Sequence, residues 1–183
     1  MNICVYGAAS NTIDNSYIQG GEQLGEIMGK TGHSLIFGGG ANGLMGAVAR
    51  GVSKSGGKVT SVVPYFFNGD GILFDKASEL IRCDTMRERK QIMEDNSDAF
   101  IMTPGGLGTF DEFFEMYTLK RLGRHTKPIA ILNTNGYFNA LIKMLKNTAD
   151  NGFMLHSTLD IIGVFDNPKD VMDYIERSVK KWI

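Results

Sequence analysis

The stretch from Asp98 to Glu115 constrains the fold more than any other. It opens with a continuous apolar run, Ala99-Phe100-Ile101-Met102, the pattern of a strand buried on both faces. Pro104 cannot donate to a sheet ladder and closes that strand. Gly105, Gly106 and Gly108 then form a loop that can approach a ligand closely, and a helix is predicted to start at Thr109. Strand, glycine loop and helix N-terminus in succession point free amide donors and the positive end of a helix dipole at one place, which suits a phosphate.

The rest of the chain repeats the alternation. Strands are predicted at Asn2 to Tyr6, Ser34 to Phe37, Lys58 to Val63, Glu79 to Arg82, Lys127 to Leu132 and Ile161 to Val164. Helices are expected between them: one capped by Ser16, one running to Val52, one from Asp84 to Asn96 with Thr85 and Glu88 as a capping box, and one from Tyr137 to Asn151. Pro168 to Trp182 reads as a closing helix, and Tyr65 to Lys76 as a loop whose aromatics either line a pocket or pack. The pattern predicts a single α/β domain over residues 1–183: a Rossmann-like, doubly wound, mostly parallel sheet with helices on both faces. Ligands in such sheets lie beyond the carboxyl ends of the strands, so both glycine loops are expected to open onto one crevice.

Composition excludes several classes. A net charge of -1 gives no bulk attraction to nucleic acid or to an anionic membrane. No apolar run approaches the roughly 20 residues of a membrane helix. Cys4 and Cys83 are expected to be free thiols in a cytoplasmic protein. His33, His125 and His156 are scattered and read as surface residues, and no metal site is expected.

Gly38, Gly40 and Gly43 match G-x-G-x-x-G, but the region about 20 residues on reads Ser61-Val62-Val63-Pro64 and lacks the acid that would hold a ribose. Neither loop ends in the Gly-Lys-Ser/Thr of a P-loop. The second loop is more informative. Phe110, Phe113, Phe114 and Tyr117 recur at helical spacing as a core stripe, which sets Glu112 on another side, toward a crevice or a subunit contact. Arg89, in Met86-Arg87-Glu88-Arg89-Lys90, reads equally well as part of a solvated charged face or as a phosphate or carboxylate ligand.

Pro104-Gly105-Gly106-Leu107-Gly108-Thr109-Phe110-Asp111-Glu112 resembles the PGGxGTxxE signature of the LOG ("lonely guy") family, cytokinin riboside 5′-monophosphate phosphoribohydrolases often labelled as lysine decarboxylases. Phe37 to Gly40 with Gly43 to Gly46 resembles its YGGGxxGLMG, and Met86 with Arg89-Lys90 its MHxRK. The resemblance implies a dimer that hydrolyses the N-glycosidic bond of a purine nucleoside 5′-monophosphate to free base and ribose 5-phosphate, without a cofactor. It implies Glu112 and Arg89 as catalytic residues. Gly105, Gly106, Gly108 and Thr109 are implied as phosphate ligands, with Gly39, Gly40, Ser10, Lys90 and Met86 around the ribose and phosphate. Where the family's first loop reads CGSS, this chain reads Tyr6-Gly7-Ala8-Ala9-Ser10, so a serine contact to ribose or phosphate would have to come from Ser10. Three other readings stand beside this one: a non-catalytic nucleotide or cofactor carrier, a pyridoxal phosphate decarboxylase, and a nicotinamide-dependent reductase.

Overall fold

The computed structural model describes residues 1–67 and 72–180. Residues 68–71 of the expected loop, and the end of the expected closing helix at Trp182, lie outside the described residues. The elements follow in the order β1 (Asn2–Tyr6), α1 (Asn15–Lys30), β2 (Ser34–Phe37), α2 (Gly43–Lys54), β3 (Val59–Pro64), β4 (Glu79–Cys83), α3 (Met86–Asp95), β5 (Ala99–Met102), α4 (Leu107–Arg121), β6 (Ile129–Leu132), α5 (Asn139–Asp150), β7 (Gly163–Phe165) and α6 (Pro168–Lys180). The strands form one seven-stranded sheet in the order β4-β3-β2-β1-β5-β6-β7. Every adjacent pair is parallel, in register from Ile3 opposite Ala99 to Tyr6 opposite Met102 at the centre. The sheet is therefore the doubly wound one the alternation predicts.

Period-two alternation divides the core between the faces. Ile3 and Val5 pack with Leu24 and Met28 of α1, Val48 and Val52 of α2, and Val171 and Ile175 of α6. Cys4 and Tyr6 point the other way, to Met93 of α3, Phe113 and Met116 of α4 and Leu145 of α5. The helices α1 and α2 meet through small residues: a Cβ on Gly25 would fall 2.2 Å from the Val48 carbonyl oxygen, and one on Gly51 2.4 Å from that of Glu22. Only glycine permits this approach.

Several boundaries differ from the sequence reading. Asp14, not Ser16, caps α1: its carboxylate accepts from the Ser16 N–H at 2.9 Å. A carboxylate gains both the hydrogen bond and the helix dipole, so it outcompetes the serine. At α3, Thr85 Oγ1 accepts from the Glu88 N–H at 3.1 Å, while Glu88 Oε2 reaches back to the Asp84 N–H at 2.8 Å instead of the Thr85 N–H. The helix α4 begins at Leu107, two residues before Thr109, because Gly106 adopts the extended cap conformation. The last strand falls at Gly163–Phe165. His33 and His125 are not surface residues: His33 is buried with Nε2 3.0 Å from Glu176 Oε1, and half-buried His125 donates from Nε2 to the Met116 carbonyl at 2.9 Å. His156 is exposed.

The chain steps outward from β1 to the edge strand β4, then returns through α3 to place β5 on the other side of β1. The loops after β1 and β5 thus diverge at the switch in strand order, where a crevice must open. Thr103 ties the two together, donating from its hydroxyl to the Tyr6 carbonyl at 2.8 Å.

Candidate active site

A crevice of about 310 Å³ lies at that switch. The loop after β1 supplies Gly7, Ala8 and Ala9, and α3 supplies Met86 and Arg89. The start of α4 supplies Gly106, Gly108, Thr109, Asp111 and Glu112, and Phe67 closes the rim. A roomier depression over α5, about 430 Å³, has Lys143 as its one ionisable lining residue, so size alone does not locate the chemistry.

The first turn of α4 has the chemistry of an anion site. Gly106 caps it without any side-chain hydrogen bond, and the N–H groups of Leu107, Gly108 and Thr109 have no partner within the helix by helical geometry. A Cβ on Gly106 or Gly108 would meet nothing within 4 Å. The protein's own packing therefore makes no demand for glycine there, and the absent side chains leave room in front of the donors. Gly105 is different: a Cβ on it would sit 2.1 Å from Thr109 Oγ1.

The other helix with a glycine-rich start is filled. The Gly43 N–H donates to Asn11 Oδ1 at 3.0 Å and the Met45 N–H to the Ala8 carbonyl at 3.0 Å. A Cβ on Gly43 would lie 2.5 Å from the Ser10 carbonyl oxygen. The G-x-G-x-x-G match thus packs the first loop against α2 and offers no pyrophosphate cradle.

Beside the α4 N-terminus, Arg89 Nη1 donates to Glu112 Oε1 at 2.7 Å. Both side chains are nearly closed off, at 12% and 11% exposure. Arg89 Nε donates to the Val62 carbonyl at 3.2 Å, and Gly38 packs against the guanidinium. Burial raises the Glu112 carboxyl above its ordinary value, and the Arg89 cation pulls it part of the way back. The buried face of α4 carries Thr109, Glu112, Phe113, Met116 and Tyr117, with Phe110 and Phe114 at its margin. The expected stripe is thus turned toward Glu112, which shares the interior face because Arg89 compensates its charge.

The structure brings together Glu112, Arg89, Met86, Gly106, Gly108 and Thr109. It keeps Ser10, Gly39, Gly40, Lys90 and Gly105 off the crevice wall. The Ser10 hydroxyl lies 2.8 Å from Thr12 Oγ1 on the surface. Gly39, at a φ of 81°, packs on Val63 and Ser61, and Gly40 bridges Leu73. Lys90 Nζ pairs with Asp111 Oδ2 at 3.0 Å and Glu115 Oε2 at 2.7 Å on the outer side of α4. Of the loop aromatics, Phe67 reaches the crevice, while Phe74 packs edge-on against Phe37 in the core. Sequence reasoning missed Gly38 as the seat of Arg89 and Ala8 and Ala9 as crevice wall. A strand end running straight into glycine was the available signal for both.

Gly38→Ala is expected to leave the fold intact and damage the site. Its Cβ would fall 1.9 Å from Arg89 Nη2, the far end of a flexible side chain, so the guanidinium moves and the sheet does not. The unfolding temperature should change little, and kcat/KM should fall about 10²-fold. Thermal melts beside initial rates check this, and an unaltered rate would show that the arginine seat is dispensable.

Residues 45–175 match the family model described as "Possible lysine decarboxylase". The chain is 39% identical over 170 residues to a cytokinin riboside 5′-monophosphate phosphoribohydrolase of Mycobacterium tuberculosis, covering 93% of this chain and 90% of that protein. It is 33% identical over 179 residues to an Arabidopsis thaliana protein of the same name, covering 98% and 84%. Among solved structures, the molybdenum cofactor binding protein of Rippkaea orientalis superposes with a TM-score of 0.75 at 19% identity, covering 97% of this chain and 96% of that one. The molybdenum cofactor carrier protein of Chlamydomonas reinhardtii gives 0.72 at 18%, with 98% of each chain covered. At such identities the structural likeness shows a shared fold. The sequence matches go further, and on them the chain belongs to the LOG family, among whose members are the cytokinin riboside 5′-monophosphate phosphoribohydrolases.

Proposed function

We propose that this protein hydrolyses the N-glycosidic bond of a purine nucleoside 5′-monophosphate, releasing the free base and ribose 5-phosphate. The observation that carries the reading is the buried Arg89–Glu112 pair facing the same 310 Å³ crevice as the uncapped start of α4. The phosphate takes the α4 amides and the Thr109 hydroxyl, which fixes the ribose and lends remote binding energy to the reaction. Leaving of the base puts oxocarbenium character on the sugar. The Glu112 carboxylate stabilises that charge and accepts a proton from the attacking water, whose oxygen bonds to the anomeric carbon as the carbon–nitrogen bond breaks; the departing base nitrogen takes up that proton, which releases the neutral base and leaves Glu112 ionised again. Arg89 keeps Glu112 ionised and in place. Phe67 and Met86 offer an apolar wall for the base.

Among the described residues no lysine lines the crevice, which supports hydrolysis over a decarboxylase with a cofactor held as a Schiff base. A homodimer fits the half-buried Phe110, Phe114 and Leu119 on the flank of α4 beside the crevice. A cytoplasmic setting fits the two free, buried thiols. No helix among the described residues is long and apolar enough to cross a membrane.

The test is incubation with AMP and with an N6-prenylated AMP, followed by chromatography for free base and ribose 5-phosphate. Equal amounts of both products from at least one substrate are expected. Tight retention of nucleotide with no base released would instead mark a carrier and overturn the reading.

A further inference from the structure

Outside the crevice, one side chain takes hold of the glycine loop from behind. The Tyr137 hydroxyl donates to the Gly105 carbonyl at 2.8 Å. The turn that delivers it is held in an unfavourable shape. Asn135 and Gly136 are both left-handed, at φ 55° and 69°, and Asn135 is the one non-glycine residue with positive φ among the described residues. Such strain persists only where its surroundings enforce it. Here Asn135 Nδ2 donates to Ser16 Oγ at 2.8 Å, and the Tyr17 ring meets the Tyr137 ring edge-on at 5.8 Å. The first turn of α1 therefore pins the turn before α5, and the turn pins Tyr137.

We infer that Tyr137 is a positioning residue for the phosphate, acting through the peptide between Gly105 and Gly106. A trans peptide points its C=O and N–H in opposite directions. With the Gly105 carbonyl held toward Tyr137, the Gly106 N–H is turned to the other side, where Gly106 lines the crevice. Neither glycine has a side chain to resist rotation of that peptide, and the α4 cap has no side-chain hydrogen bond to fix it. The Tyr137 hydroxyl is thus the contact that sets the amide's direction before an anion arrives. Tyr137 does not border the crevice and is 43% exposed, so it touches no reacting atom and carries little of the core.

This inference rests on the reading of the α4 N-terminus as the phosphate site, and binding measurements separate the two. Tyr137→Phe keeps the ring and removes the hydroxyl. Its affinity for ribose 5-phosphate should fall about tenfold by calorimetry, with adenosine binding changed less than about twofold. In turnover the loss should appear mainly in KM for the nucleotide and not in kcat. Equal weakening toward ribose 5-phosphate and adenosine would mean general loosening and overturn the inference, as would unchanged ribose 5-phosphate binding. Failure of the unaltered protein to bind ribose 5-phosphate would remove the phosphate site itself and the inference with it. A variant on the crevice side, Thr109→Val, should weaken ribose 5-phosphate binding while Tyr137 is intact. If it does so and Tyr137→Phe does not, the phosphate site stands and only the role of Tyr137 falls.

Discussion

Glu112→Gln is expected to lower kcat about 10³-fold while the protein stays folded and still holds nucleotide. The amide can accept from Arg89 Nη1, so the 2.7 Å contact survives in kind. It carries no negative charge, can neither stabilise a developing cation nor take a proton from water, and leaves the Arg89 charge without its counterion. A stability loss of about 2 kcal/mol should accompany the change. The pH profile gives an independent check. Glu112 is raised above its ordinary 4.5 by burial, against the pull of Arg89. On the proposed mechanism the active form is the ionised one, so kcat/KM should fall on the acid side at a pH above the usual carboxylate range, and that limb should vanish from the residual activity of Glu112→Gln. For stability the sign follows from the same shift. Between the unfolded and folded values the folded protein binds the extra proton, so this group's contribution is complete below about pH 4.5 and is lost as pH rises through the folded value. Near-normal turnover by Glu112→Gln would end the assignment of this residue.

Arg89→Met should be the more damaging change to the fold. It removes the only cation within ion-pairing distance of Glu112 among the described residues and strands a carboxyl that is 11% exposed. Breaking a buried pair from one side costs about 3–5 kcal/mol. Part of that cost is avoided by protonation, which moves Glu112 further upward and shifts the acid limb of any remaining activity to higher pH. Urea unfolding should show the loss directly. The double variant Arg89→Met/Glu112→Gln should regain stability relative to Arg89→Met alone, because no charge is then stranded, and should regain no activity. Arg89→Lys is a poor substitute: an ammonium cannot serve the Val62 carbonyl and the Glu112 carboxylate from one rigid plane. An unfolding midpoint for Arg89→Met equal to that of the unaltered protein would show that the pair contributes nothing to the fold.

The local part of this architecture is legible in the sequence and the long-range part is not. Ala99 to Met102, Pro104 and the glycines after it announce strand, loop and helix because each acts through its own backbone. Periodicity turns Glu112 away from the aromatic stripe, toward a crevice or a subunit contact, and does not choose between them. Its burial beside Phe113 could not be read there, because that depends on Arg89, 23 residues earlier, arriving to neutralise it. Arg89 itself was ambiguous for the same reason, as a charged helix face looks alike whether it meets water or a carboxylate. Gly38 reads as one more loop glycine until the side chain it accommodates is known. Asp14 displaced Ser16 by a local contest between two good caps, which residue preferences alone do not settle.

The chain's leap from β4 back to the flank of β1 also bears on how the molecule matures. The contact of Thr103 with Tyr6 spans 97 residues, the longest closure at the centre of the sheet. Loops of that length close late on the way to the native state. Arg89 arrives at the end of the first half of the sheet and Glu112 with the second, so neither half alone holds a working pair. A newly made or refolding chain would therefore stay chemically silent until its two halves had docked, even with most of its helices already wound.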